Sequence, residues 1–170
     1  FVGHLRIKGR DLGTLVEAFK IVKAELPESI LVLVGDGPDR EKIGMLSKFL
    51  GLENNVILTG FKTNPLSYMR EFDILVVTAL HEAFSNTILE ALYCETLVIG
   101  SNVGGIPEAL KYEALLFPPQ NERILAERIL NFLKDEDKRQ EALKLIKERQ
   151  KEFIFDWTKT MIKAIGSVLR

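Results

Sequence analysis

Glu82 and Glu90 stand eight positions apart, on either side of Ala83-Phe84-Ser85-Asn86-Thr87-Ile88-Leu89. Two carboxylates so placed could accept hydrogen bonds from paired hydroxyl groups, as on a sugar ring. The segment between them leaves an apolar run and enters a helix, with Ser85 or Asn86 as its cap. The first amides of a helix have no intrahelical partner, and the helix dipole favours negative charge beside them. A strand, a turn and a helix start in this order form a seat for phosphate. On a helical wheel Ile88, Ala91 and Leu92 share one face and Glu90 lies nearly opposite, free to face a cleft. A pair of solvated acids near a helix start would have the same spacing, so the pattern alone weighs the two readings equally.

Other groups fall into the same kind of position. Arg6, Lys8 and Arg10 surround Gly9 between a strand-like run and a helix. They suit a diphosphate, although alone they read more simply as a solvated basic turn. Gly35-Asp36-Gly37-Pro38 is a turn by composition. It lacks the third glycine of a dinucleotide fingerprint and the Gly-Lys-Ser/Thr of a phosphate-binding P-loop. Gly104-Gly105-Ile106-Pro107-Glu108 reads as a tight turn into a short helix, with proline near its first position. Its glycines would also let a ligand approach the backbone closely. His4 and His81 read as structural histidines, and Cys94, at a helix end, as a buried inert thiol. No Ser-His-Asp or Cys-His arrangement is apparent.

These groups need a scaffold, and the apolar pattern supplies one. Short runs rich in Val, Ile and Leu occupy Phe1–Leu5, Ile30–Val34, Val56–Leu58, Ile74–Thr78, Leu97–Ile99 and Ala114–Phe117. Runs of this kind suit strands buried on both faces. Helical patterns lie between them. Asp11 is placed to cap Leu12–Leu26, which Pro27 stops, and Asp39 to cap a second helix that ends before Gly51. A short helix follows Pro65 and another spans Thr87 to about Cys94. Glu122–Leu133, Lys138–Gln150 and Trp157–Leu169 make the C-terminal third helical. The alternation predicts an α/β domain, Rossmann-like and doubly wound, with a six-stranded, mostly parallel sheet and helices on both faces. In such sheets ligands bind beyond the C-terminal ends of the strands. The segments holding Glu82, Lys8, Gly35 and Gly104 all begin there.

The whole composition narrows the classes of function. A chain of 170 residues is expected to form one domain over 1–170. With 23 Lys and Arg against 24 Asp and Glu, it has no global field to gather nucleic acid. One cysteine and two histidines exclude an intrachain disulfide and argue against a structural metal site. No apolar run is long enough to span a bilayer, so a cytoplasmic setting is expected. The chain opens directly on Phe1-Val2-Gly3 and reads as an excerpt of a longer protein. Its last helix, with Trp157, Met161, Ile162, Ile165 and Leu169, is expected to leave apolar surface that self-association would cover.

Taken in order, the segments resemble the C-terminal domain of the retaining, GT-B-fold glycosyltransferases of family 4. The resemblance is carried by Phe1-Val2-Gly3-His4-Leu5 with Lys8-Gly9, Val34 through Pro38, and Val56-Ile57-Leu58-Thr59-Gly60-Phe61. It continues through Glu82 to Glu90-Ala91, Gly104 to Glu108 and Phe155-Asp156-Trp157. It implies that Glu82 contacts donor-sugar hydroxyls and Glu90 the ribose. The backbone of Ala83, Phe84, Ser85, Asn86, Thr87 and Ile88 would line the sugar and diphosphate. Lys8 would neutralise phosphate charge, with Arg6 as a substitute for the arginine common at the position of His4. The stretch at Phe61 would contact the base, and Gly35 would line the donor site. It further implies a nucleoside-diphosphate sugar as substrate, no metal or other cofactor, and an N-terminal acceptor domain in the same protein. The cytoplasmic face of the membrane is then one setting for the full-length enzyme. The sequence departs from the pattern at His4, in a shorter loop to Lys8, at Ala83 in place of glycine, and at Glu95-Thr96-Leu97. These departures keep open a non-catalytic nucleotide-sugar-binding or regulatory module. Half of a sugar-nucleotide epimerase of the same fold is also open.

Overall fold

A computed structural model describes residues 1–153. Its elements follow in the order α1 (Ile7–Arg10), α2 (Leu12–Glu25), β1 (Leu31–Val34), α3 (Arg40–Phe49), β2 (Val56–Gly60), α4 (Leu66–Glu71) and β3 (Leu75–Val77). After these come α5 (Asn86–Tyr93), β4 (Val98–Ser101), α6 (Ile106–Leu110), a 3-10 turn (Glu113–Leu115), β5 (Leu116–Phe117), α7 (Glu122–Lys134) and α8 (Glu136–Phe153). Every pairing between these strands is parallel, β1 with β2 and β4 between β3 and β5. Parallel pairing sends the strand ends of each part in one direction, and the loops after β3 and β4 emerge along one edge.

The described residues contain five strands, not the expected six, and the difference lies at Phe1–Leu5. Phe1–Gly3 does lie parallel beside β1. The Phe1 amino group donates to the Val32 carbonyl at 3.0 Å, Val34 N–H to Phe1 at 2.9 Å, and Gly3 N–H to Val34 at 2.9 Å. Gly3, at φ +147°, then turns the chain away. Two extended residues leave one bridge, Val2 with Val34, which is too little for a strand. The sheet therefore falls into two hydrogen-bonded parts. A cavity of about 430 Å³ lies between them, walled by Phe1, Ile30, Val32, Phe72 and Ile74.

The helices bury the stripes that their periodicity requires. Leu15, Ala18, Phe19 and Val22 of α2 are buried, as are Leu125, Ala126, Ile129 and Phe132 of α7, and the two helices pack together. Each of the leucine, isoleucine, valine and phenylalanine side chains among them stabilises the fold by roughly 1.5–3 kcal/mol against leaving it exposed. Gly51, at φ +72°, follows α3 as expected. Asp11 and Asp39 occupy the cap positions of α2 and α3, but neither carboxylate accepts from a backbone amide of its helix. Asp11 has a left-handed backbone (φ 49°), and Asp39 Oδ2 accepts instead from Ile7 N–H at 2.9 Å. Asp135 Oδ1 accepts from Lys138 N–H at 3.1 Å, so α8 starts before Lys138. The helix expected over 157–169, with its apolar face, lies outside the described residues. Among those described, no helix is long and apolar enough to cross a membrane.

Candidate functional site

The loop after β3 is fixed from both sides before it reaches Glu82. Buried Thr78 donates its hydroxyl to the Arg10 carbonyl at 2.6 Å, and Leu80 N–H donates to Gly9 at 2.8 Å. On the other flank the Ser101 hydroxyl, at the end of β4, donates to Ala79 at 2.6 Å. The carbonyl of Glu82 then accepts from Gly105 N–H at 2.9 Å. Gly104 has φ +52°, and a Cβ built on it would overlap the Glu82 carbonyl oxygen and lie 2.9 Å from the carbonyl carbon. The room left by Gly104-Gly105 is thus taken by the backbone of Glu82-Ala83. The turn is therefore structural, as its composition indicates.

The same device joins the first two loops. A Cβ on Gly35, which has φ +138°, would overlap the Gly3 carbonyl, so glycine is required for the chain after Gly3 to cross there. Leu5 N–H donates to Asp36 at 2.9 Å and Asp39 N–H to Leu5 at 3.2 Å. Hydrogen bonds from Lys42 and the Ile7 amide, with the charges of Lys42 and Arg6, hold the Asp39 carboxyl below its usual range. The loops at Gly3–Arg10, Gly35–Asp39, Ala79–Glu82 and Gly104–Gly105 thereby form one bonded surface.

At the start of α5 the structure selects Ser85 as the cap. Its side chain accepts from Ile88 N–H at 3.4 Å, and its carbonyl accepts from Ile88 and Leu89 at 3.1 and 3.2 Å. The amides of Asn86 and Thr87 are left for solvent or for an anion. Ile88, Ala91 and Leu92 face the core as the wheel requires, and Glu90 is half-buried. Burial raises the Glu90 carboxyl above its ordinary value. Among the described residues, no side chain or amide hydrogen-bonds to that carboxylate. Phe84 is exposed, its ring edge-on to Phe153 with centroids 6.2 Å apart. Arg149 lies over Phe153 at 4.5 Å and donates to the last carbonyls of α6, at Glu108 and Ala109.

Glu82 is treated differently from Glu90. Its side chain is only 15% exposed and pairs with the guanidinium of Arg10 through Nη1 and Oε2. His4, Arg6 and Lys8 are exposed on the same loop, which turns through Gly9 at φ +93°. Phe61 is exposed beyond β2, tied to the other loops through Gly35 N–H and the Gly60 carbonyl at 3.1 Å. The sequence places Arg10 in a basic turn but does not single it out. No local pattern could, because its partner lies 72 positions away. The assembled edge is an open surface with Ala83, Asn86 and Gly104 exposed. Cavities of about 430 and 300 Å³ lie elsewhere, the second between α7 and α8.

Three similarities stand beside this geometry. A protein of Campylobacter jejuni named N-acetylgalactosamine-N,N'-diacetylbacillosaminyl-diphospho-undecaprenol 4-alpha-N-acetylgalactosaminyltransferase is 30% identical over 155 residues, covering 89% of this chain and 41% of its own length. N-acetyl-alpha-D-glucosaminyl L-malate synthase of Bacillus anthracis is 30% identical over 151 residues, covering 88% of this chain and 38% of its own. The chain therefore spans about two-fifths of these curated relatives. The crystal structure of Anabaena HepE in complex with UDP superposes with a TM-score of 0.81 at 25% identity, over 99% of this chain and 48% of that one. The fold is thus the Rossmann-like α/β fold of GT-B enzymes. Residues 1–151 match the family described as glycosyl transferases group 1, and the chain belongs to that family.

Proposed function

We propose that this domain binds a nucleoside-diphosphate sugar and, with a second domain that supplies the acceptor site, transfers the sugar with its anomeric configuration retained. The observation that carries the reading is the capped start of α5, whose free Asn86 and Thr87 amides lie between two acids of opposite setting. Glu82 receives donor-sugar hydroxyls and Glu90 the ribose. The backbone from Ala83 to Ile88 follows the sugar and the diphosphate. Lys8 and Arg6 are the exposed cations for the leaving group, His4 and Gly35 line its far side, and Phe61 meets the base. Transfer breaks the anomeric C–O bond, with the electron pair leaving on the phosphate oxygen. A C–O bond forms to the acceptor hydroxyl, whose proton passes to the released diphosphate. Oriented amides and cations stabilise that charge as it develops, without requiring a metal. A hexosyltransferase acting at the cytoplasmic face of a membrane fits this chemistry. The transferase and synthase names of the relatives support transfer over the epimerase and non-catalytic readings.

Calorimetric titration of UDP, GDP and ADP, free and sugar-linked, tests the binding half. One of these nucleotides should bind, and Glu90→Ala should weaken it about tenfold or more (~1.4 kcal/mol). The domain alone should show little or no transfer. Silence from every nucleotide at about millimolar concentration, a binding energy of only ~4 kcal/mol, would remove the reading.

A further inference from the structure

We infer that Arg10 is a positioning residue for the sugar end of this site, setting the carboxylate of Glu82 so that it can accept hydrogen bonds from the donor sugar. The inference rests on the donor-binding function proposed above and adds to it a group that the sequence did not single out.

Arg10 is held from its backbone outwards. The turn closes where Asp11 N–H donates to the Ile7 carbonyl at 2.8 Å. The Gly9 and Arg10 carbonyls are then bonded to Leu80 N–H and the buried Thr78 hydroxyl. Those two donors lie immediately upstream of Glu82, so both ends of the ion pair hang from one hydrogen-bonded frame. From the other side Gly105 N–H fixes the Glu82 carbonyl. Main chain and side chain of Glu82 are thus restrained by different segments. Little rotamer freedom remains to be lost when a ligand binds.

Chemistry favours an arginine in this place. Its guanidinium stays charged and has five N–H donors in a planar fork. The structure engages Nη1 with one oxygen of Glu82, and among the described residues no other acceptor is bonded to this guanidinium. The carboxylate is 15% exposed while the guanidinium is 39% exposed, so the acid is the sheltered partner. Paired in this way, Glu82 presents its oxygens in a fixed direction, and a carboxylate is an acceptor suited to sugar hydroxyls. The effect should reach the sugar and not the nucleotide, because the α5 amides and Glu90 lie on the other side of Ser85.

That division gives a test on the domain itself. UDP, GDP and ADP are titrated against UDP-glucose, GDP-mannose and ADP-glucose for wild type, Arg10→Gln, Arg10→Lys and Glu82→Gln. Melting curves check that each variant folds. Arg10→Gln should weaken the sugar-linked ligand about tenfold or more while the matching free diphosphate stays within about twofold, with partial recovery in Arg10→Lys. Combined with Glu82→Gln it should cost no more than either change alone, since the two side chains act as a unit. Equal losses for free and sugar-linked nucleotide would overturn the inference and make Arg10 a structural part of the loop. So would an unchanged affinity for the sugar-linked ligand. A wild-type domain that binds no nucleotide would sink the donor site itself, and the positioning role with it.

Discussion

Replacing Gly104 with alanine should break the site from behind. The new methyl has two costs that the structure separates. At φ +52° an L-residue occupies the left-handed region, which costs roughly 1–2 kcal/mol. The methyl would also overlap the Glu82 carbonyl oxygen and stand 2.9 Å from its carbon and 3.4 Å from its nitrogen. Relief requires the Glu82-Ala83 peptide to retreat by about 1 Å, and a misplacement of that size can cost on the order of a hundredfold in a reaction. It also stretches the bond from Gly105 N–H, whose loss adds about 1 kcal/mol.

Gly51 is the matched control. It has φ +72° and nothing within 4 Å of a built Cβ, so Gly51→Ala carries the backbone cost alone. Melting in calorimetry should place Gly104→Ala below Gly51→Ala by several degrees, since about 1 kcal/mol shifts the midpoint of a domain this size by roughly 2–4 °C. Sugar-linked nucleotide affinity should fall at least about tenfold in the first variant and hold in the second. Equal melting points with equal affinities would show that the Gly104 turn does not support Glu82, and the account of this loop would fail.

Other perturbations follow from single groups. Arg149→Met leaves the Glu108 and Ala109 carbonyls without their donor and should lower stability by about 2–3 kcal/mol, read by denaturant unfolding; lysine should not restore it. Glu90 has its carboxyl raised by burial, so its ionised form opposes folding. The associated stability is present below the ordinary carboxylate value and is lost as pH rises through the raised one. Glu90→Gln should therefore raise the melting point at pH 7 while weakening nucleotide binding, and a fall in both would contradict it.

Periodicity located most elements because burial acts on local spacing: the inward stripes of α2 and α7 and the Ile88-Ala91-Leu92 face could be read directly. Residue type placed the Ser85 cap among its two candidates for the same reason. What failed depended on distant partners. Asp39 looks like a helix cap, but the Ile7 amide, 32 positions away, takes its carboxylate. Phe1–Leu5 looks like a strand, but a strand is defined by its ladder, and only Val2 bridges to β1. Gly35 and Gly104 announce turns without disclosing that the carbonyls of Gly3 and Glu82 require the space. Arg10 differs from Arg6 and Lys8 only through the path of the chain after Gly9.

The fold gives its two acids opposite environments, and a donor site would use both. Glu82 has its charge matched by Arg10 and its backbone fixed by Gly105, so folding has already met the cost of orienting it. Glu90 is half-buried, burial raises its carboxyl above its ordinary value, and no hydrogen-bond donor among the described residues reaches it. Hydroxyl donors on a ligand would supply hydrogen bonds that the described residues do not. A rigid acid selects the geometry of the group it meets, whereas an acid held by no neighbour adapts to any suitably placed pair of hydroxyls. The sugar is the part of a donor that varies in stereochemistry, and the ribose is the part that does not. The proposed donor site therefore pairs the Arg10-held acid with the first and the unpaired acid with the second.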